Sequence, residues 1–187
     1  MAKRVANTFV LVEDVAQQNM VRQYLKRVRG KDFNSRSIRM AALPAGRGSG
    51  EKYVRDQYPN RVKALRSSLG KKASAILIVM IDADNHSTDK RHRQLERELV
   101  DAELQAPAAN EPIVVLVPKR HVETWIQALL GNNVDETTDY KRPKRTPQDF
   151  KSAAETLYDW TRENARLGEN CPPSLSAAIP EWRKIPS

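Results

Sequence analysis

The run Ala75-Ile76-Leu77-Ile78-Val79-Met80-Ile81-Asp82 constrains this chain more than any other segment. Seven consecutive apolar residues without helical spacing form a strand covered on both faces. Strands of that kind belong to parallel sheets sandwiched between helices. Thr8-Phe9-Val10-Leu11-Val12-Glu13 has the same character and also ends in a carboxylate. Ile113 to Val117 is a further buried strand, closed by Pro118, and Ser37 to Leu43 is a weaker one.

Helical patterns fill the spaces between these strands. Asp14 can cap a helix through Arg29, stopped by Gly30, with Val21, Leu25 and Val28 on one stripe. Glu51 to Leu69 carries Val62, Leu65 and Leu69 at core spacing, and Pro59 is expected to break or kink it. Asp89 to Gln105 and His121 to Leu130 are amphipathic, the second ended by Gly131. Gln148 to Leu167 is expected to be a long final helix, followed by a tail from Cys171 to Ser187 with four prolines. Alternating strands and helices predict an α/β fold: a Rossmann-like, mostly parallel four-stranded sheet with helices on both faces. The expected organisation is an α/β domain over 1–131, a basic loop over 132–146, and a C-terminal helix and tail over 147–187 packing on the same domain.

At 187 residues the chain can bury a core without covalent staples. Cys171 is the only cysteine, which excludes an internal disulfide and a thiolate-rich zinc site and suggests a reducing, cytoplasmic home. No apolar run is long enough to span a bilayer, so no membrane partner is expected. The N-terminal residues lack the pattern of a secretory signal. The net charge of +9 is unevenly distributed. Residues 1–75 hold 17 Lys/Arg against 5 Asp/Glu, whereas the remainder is mildly acidic. A basic half of this kind suits an anionic partner, nucleic acid first among them.

In open parallel sheets, ligands bind beyond the carboxyl ends of the strands. Glu13 ends one strand there, and Asp82-Ala83-Asp84 ends another. In an extended segment, residues two apart point the same way, so Asp82 and Asp84 are expected to present both carboxylates together. Carboxylates so close raise each other's pKa unless a cation joins them, and oxygen-only ligands suit Mg²⁺ or Mn²⁺. Glu13 is a candidate third ligand and general acid/base on a phosphodiester. The alternative is that these aspartates are turn and helix-cap residues. The Asp-x-Asp pattern after seven apolar residues, with Glu13 at another strand end, favours a cation.

Val10-Leu11-Val12-Glu13 and Ile78-Val79-Met80-Ile81-Asp82-Ala83-Asp84 together resemble the Toprim pattern, in which a Glu closes the first strand and a later strand ends in Asp-x-Asp. Toprim domains occur in topoisomerases, primases, overcoming-lysogenization-defect nucleases and phage-defence nucleases. Pro118-Lys119-Arg120-His121-Val122-Glu123-Thr124-Trp125 is similar to a segment of small stand-alone Toprim-like proteins, and Pro173-Ser174-Leu175 to their C-terminal ends. The likeness covers residues 8–130 best. It implies a Toprim-like fold for the α/β domain, Mg²⁺ or Mn²⁺ on Glu13, Asp82 and Asp84, and cleavage of DNA or RNA. By analogy it also implies an ATPase partner subunit in antiviral defence. Two departures stand out. Asp14 replaces the usual Gly after the first Glu, and Gln17, Gln18 and Asn19 are neutral where many defence nucleases place another acid. Asp14 and Glu123 are the acids available to compensate, and a non-catalytic Toprim-like binding subunit is the alternative function.

Other groups are candidates for substrate contact. Arg22, Lys26 and Arg29 share a stripe on the helix that follows Glu13, suited to phosphates. Arg47 lies in the glycine-rich segment 43–51, a turn or a phosphate cradle. Lys119, Arg120 and His121 follow the fourth strand at the same sheet edge, where Arg120 is a candidate to stabilise developing charge. Asp82-Ala83-Asp84 also resembles the first motif of haloacid-dehalogenase phosphatases, but Asn85-His86 replaces their Gly-Thr. Trp125 and Trp160 sit at core spacings. Trp182 is expected to dock on its own domain, with a partner anchor as the alternative.

Overall fold

A computed structural model describes residues 7–43, 50–71 and 74–187. Four parallel strands, β1 (Asn7–Val12), β2 (Ile38–Met40), β3 (Ala75–Met80) and β4 (Ile113–Leu116), form one sheet in the order β2-β1-β3-β4. Among the described residues six α-helices surround it: α1 (Val15–Arg29), α2 (Gly50–Gly70), α3 (Thr88–Asp101), α4 (Val122–Leu129), α5 (Pro147–Thr161) and α6 (Pro173–Arg183). The fold is α/β with helices on both faces of an all-parallel sheet.

Every residue of β3 is buried because its side chains feed two cores. Ile76, Ile78 and Met80 join Val10 and Val12 in a core closed by α1, α4, α5 and α6. Leu77, Val79 and Ile81 join Leu11 in a second core closed by α2 and α3. Period-two alternation thus sorts one apolar run into two layers. Among the described residues, no helix is long and apolar enough to cross a membrane.

Helix termini follow their local chemistry. The Asp14 side chain accepts from the Gln17 backbone N–H at 2.9 Å to start α1, and Gly30 adopts φ 50° at its end. α5 begins with a reciprocal Thr146–Asp149 capping box and Pro147 in the first turn. Ser87, not either aspartate of the Asp-x-Asp pattern, caps α3.

The helical ends correct three expectations. α2 runs through Pro59 unbroken. Val54, Tyr58, Val62 and Leu65 are all buried on the face it turns to the sheet, and this packing outweighs the backbone hydrogen bond that Pro59 cannot make. α5 stops at Thr161 rather than near Leu167. Arg183 takes over its terminal carbonyls, donating from Nε to Thr161 O at 3.1 Å and from a terminal nitrogen to Arg162 O at 3.4 Å. The Pro-rich tail is largely the helix α6. Pro173 occupies its first turn, where no N–H is needed, and Leu175, Ala178, Ile179 and Trp182 form its buried face. α6 also covers the β4 edge, where Glu181 accepts the Val115 N–H at 3.2 Å.

Trp182 is fully buried, with its ring 4.6 Å from that of Tyr24 in an edge-on pair, and Tyr24 Oη donates to Thr161 Oγ1 at 3.0 Å. Trp182→Ala is expected to cost about 3–5 kcal/mol, as aromatic truncations in cores do. Urea denaturation monitored by circular dichroism checks this; a loss within experimental error would mean that α6 contributes little to the core.

Candidate functional site

Parallel pairing of β1 with β3 sets Val12 opposite Met80. The next residues of both strands therefore leave the sheet at the same edge. β3 keeps its ladder past Met80, since Ile81 N–H donates to Leu116 O at 3.1 Å and Ala83 N–H to Pro118 O at 2.8 Å. These bonds deliver Asp82 beside Glu13, whose Oε1 accepts the Asp82 backbone N–H at 2.7 Å. Close approach matters on the α2 side as well. A Cβ at Gly50 would stand 2.8 Å from Glu13 O, so only glycine lets α2 begin against the end of β1.

Asp82 and Asp84 do not share a face through strand alternation. Asp84 has φ 51°, so the chain turns before it. Asp82 is buried, whereas the Asp84 side chain retains 43 % exposure. His121 nevertheless joins them: its Nδ1 lies 3.4 Å from Asp82 Oδ2 and 3.6 Å from Asp84 Oδ1. The left-handed turn replaces strand geometry, and the imidazole becomes the meeting point.

Gln17 is the residue around which this edge is organised. It is fully buried one turn into α1. Its Oε1 accepts the Glu13 N–H at 3.0 Å and its Nε2 donates to Asp82 Oδ1 at 2.9 Å. A neutral amide can do both; a carboxylate could only accept. Arg91, 2 % exposed, supports the opposite side. Its Nε donates to Asp82 O at 2.9 Å, and its terminal nitrogens reach Glu51 and Gln94 and lie 3.7 Å from Asp84 Oδ2. Glu51 also binds Arg55 at 2.6 Å, which in turn binds Glu98 at 2.6 Å.

The electrostatics reflect carboxylates gathered out of water. Burial, then the charge of Asp82, pushes the Glu13 pKa up to about 9. Burial also drives Asp82 well above the usual carboxylate range, and Asp14, Glu123 and Asp84 push the same way, opposed by Lys141. Glu123, in the first turn of α4, is raised by burial and by Asp14, and its Oε2 is buried without a hydrogen-bond partner among the described residues. Burial and Lys141 hold His121 below its ordinary value against the pull of Asp139, Asp84 and Glu123. The loop over 132–146 thus places its charges near the acids.

The other expected contacts separate. Lys119 Nζ donates to His86 O at 2.7 Å, and Arg120 binds the Asn85 side chain, so both stand at this edge but hold the turn after the acids. Arg22 and Lys26 are exposed on α1. Arg29 is corrected. It is 4 % exposed and donates to Thr8 Oγ1 at 2.5 Å, because the helix has rotated it from the solvent stripe onto β1. A buried guanidinium in this position is not available to a phosphate. Arg47 and most of the glycine-rich segment lie outside the described residues. Gln17, Arg91 and Lys141 were missed as site residues. Only Gln17 had a local signal, its i+4 spacing from Glu13.

The donor set suits a hard divalent cation in chemistry but not as a closed cage. Among the described residues no three His, Cys, Asp or Glu side chains converge as ready ligands. Gln17 and His121 face the two oxygens of Asp82, and one oxygen of Glu13 holds the Asp82 N–H. Mg²⁺ commonly keeps several waters and uses only one or two carboxylates together with substrate phosphate. Oxygen ligands from Glu13, Asp82 and Asp84 are compatible with that open, hydrated mode, and burial makes the charged forms of Glu13 and Asp82 costly in a way that a cation would offset. Comparison of the chain with family models, with curated proteins and with solved structures returns no match.

The raised carboxyl pKa values have a definite linkage sign. Between the ordinary carboxylate value of 4.5 and about 9, the folded state keeps the Glu13 proton that the unfolded chain releases. Metal-free stability is therefore expected to fall as pH rises through that window and to level above it. Glu13→Gln, which cannot ionise, is expected to flatten the decline in chemical denaturation; an unchanged slope in the variant would reassign the effect to other groups.

Proposed function

We propose that this protein is a Toprim-like, Mg²⁺- or Mn²⁺-dependent nuclease whose centre is the sheet edge formed by Glu13, Asp82 and Asp84. The observation that carries the reading is the partly buried junction in which Glu13 accepts the Asp82 N–H while Asp82 and Asp84 face one imidazole. Structural ion pairs neutralise charge. Here several acids whose charged forms burial disfavours share one edge, which supports a site that would take an added positive charge.

Glu13, Asp82 and Asp84 would hold the ion, which would supply Lewis-acid stabilisation of phosphoryl oxygen and an activated water. Glu13 is the candidate to move the proton. Water oxygen bonds to phosphorus, the bond from phosphorus to the leaving sugar oxygen breaks, and that oxygen takes a proton, giving a phosphomonoester and a hydroxyl. Gln17 fixes Glu13 and Asp82 relative to one another. Arg91 anchors the Asp82 carbonyl, and Arg120 and Lys119 steady the adjoining turn while keeping positive charge near the scissile group. Exposed Arg22 and Lys26 would meet phosphates along the strand. The analogy that gives this reading also gives an ATPase partner subunit, and the single cysteine, Cys171, suits a reducing, cytoplasmic setting.

The engagement of both Asp82 oxygens by Gln17 and His121 favours one second reading, a Toprim-like subunit that binds nucleic acid without cutting it. A cleavage assay separates the two. Plasmid, single-stranded DNA and transfer RNA would be incubated with the protein in Mg²⁺, Mn²⁺ or EDTA. Metal-dependent cutting that drops about 10²–10⁴-fold in Glu13→Gln and Asp82→Asn is expected. Cutting unaffected by both substitutions would remove the proposed centre. No cutting together with no metal binding by calorimetry would leave the binding subunit.

A further inference from the structure

α1 leads away from the acidic edge, and its exposed side carries Arg22 and, one turn on, Lys26. Arg27 is exposed beside Lys26. α5 packs along α1, and between them lies a groove of about 500 Å³ lined by Gln23, Lys26, Arg27, Gln148, Lys151 and Glu155, with Pro147 at its end. Three cations thus meet one anion in a concave surface. Among the described residues none of Arg22, Lys26, Arg27 and Lys151 has a carboxylate within ion-pair distance. On the other face of the sheet, by contrast, Arg55, Arg66 and Arg91 are each tied to glutamates.

Two of the groove's cations are held in place by aromatic rings. The Arg27 guanidinium lies 4.5 Å from the centre of the Tyr158 ring, and Lys26 Nζ lies 5.8 Å from that of Phe33. A ring restrains the side chain without consuming its N–H donors in the ring plane. The guanidinium therefore keeps its fork for a phosphate, and less side-chain entropy is lost on binding.

We infer that the α1/α5 groove is the track for a nucleic-acid backbone, with Lys26, Arg27 and Lys151 as its phosphate contacts. This rests on the proposed function for the direction of the strand, since Arg22 lies between the groove and the acids. From Asp14 to Lys26 α1 rises about 18 Å, a span of about five phosphates of a duplex strand. Neutral Gln23 and Gln148 add hydrogen-bonding groups that accept any sequence.

The test is binding of labelled duplex DNA and of labelled single-stranded RNA by fluorescence anisotropy in EDTA across a salt series. The triple variant Lys26→Ala/Arg27→Ala/Lys151→Ala is compared with Lys63→Ala/Arg93→Ala/Arg97→Ala, which removes equal charge from exposed positions on α2 and α3. All six side chains are exposed, and thermal melts verify that both variants fold. The groove variant is expected to bind at least about tenfold more weakly, with a salt slope on duplex shallower by about 2–3. The control is expected to keep the wild-type slope. Equal losses in both variants, no loss in either, or no wild-type binding at all would overturn the groove. Because the assay is free of metal, it is independent of cleavage: a protein that binds through the groove yet neither cuts nor binds metal would refute the nuclease and leave this surface in place.

Discussion

The backbone bond from Asp82 N–H to Glu13 Oε1 ties the ends of the two central strands together, and much of the site's arrangement depends on it. It exists because β1 and β3 pair in parallel with Val12 opposite Met80, so both chains reach the sheet edge side by side. The same pairing brings the carboxylates into a place where water is scarce. Their negative charge then has to be managed by groups from elsewhere. Gln17 comes from α1, Arg91 from α3 and His121 from the β4–α4 connection. Each makes directional bonds, so the requirement to satisfy buried charge also fixes the geometry of the acids.

The two faces of the sheet resolve their electrostatics differently. On the α2/α3 side, Arg91, Glu51, Arg55 and Glu98 form a continuous chain of opposite charges that braces the underside of the acidic turn. On the α1/α5 side, cations lie over aromatic rings and lack carboxylate partners among the described residues. The first arrangement uses charge internally. The second leaves it directed outward. The long C-terminal extension makes this second face possible: α6 closes the core with Trp182, covers the β4 edge with Glu181, and holds the end of α5 with Arg183.

Much of the fold was legible because burial writes a strong pattern. The β3 run could only be a doubly covered strand, and its partners followed from the same composition. α6 was missed although Leu175, Ala178, Ile179 and Trp182 keep helical spacing. Four prolines masked it, yet Pro173 falls where a helix tolerates proline and packing carries the helix through Pro180. Pro59 misled in the same way. At the site, Glu13, Asp82 and Asp84 were visible as strand-end acids, whereas Arg91 was not. An arginine in the middle of a charged amphipathic helix resembles its solvated neighbours until the fold buries it.

The sequence by itself determined the parallel α/β class, the strand ends on which the acids sit, the Asp14 cap and the surplus of basic charge in the first half. These depend on local period, burial and residue chemistry, which neighbouring residues encode. Only the tertiary structure decided that Gln17 bridges Glu13 and Asp82, that Arg29 turns inward to Thr8, and that Asp84 reaches His121 through a left-handed turn. Those outcomes depend on helix rotation and on contacts between residues far apart in the chain. They are settled by how much charge and apolar surface each packing leaves unsatisfied, a quantity that no local window of sequence contains.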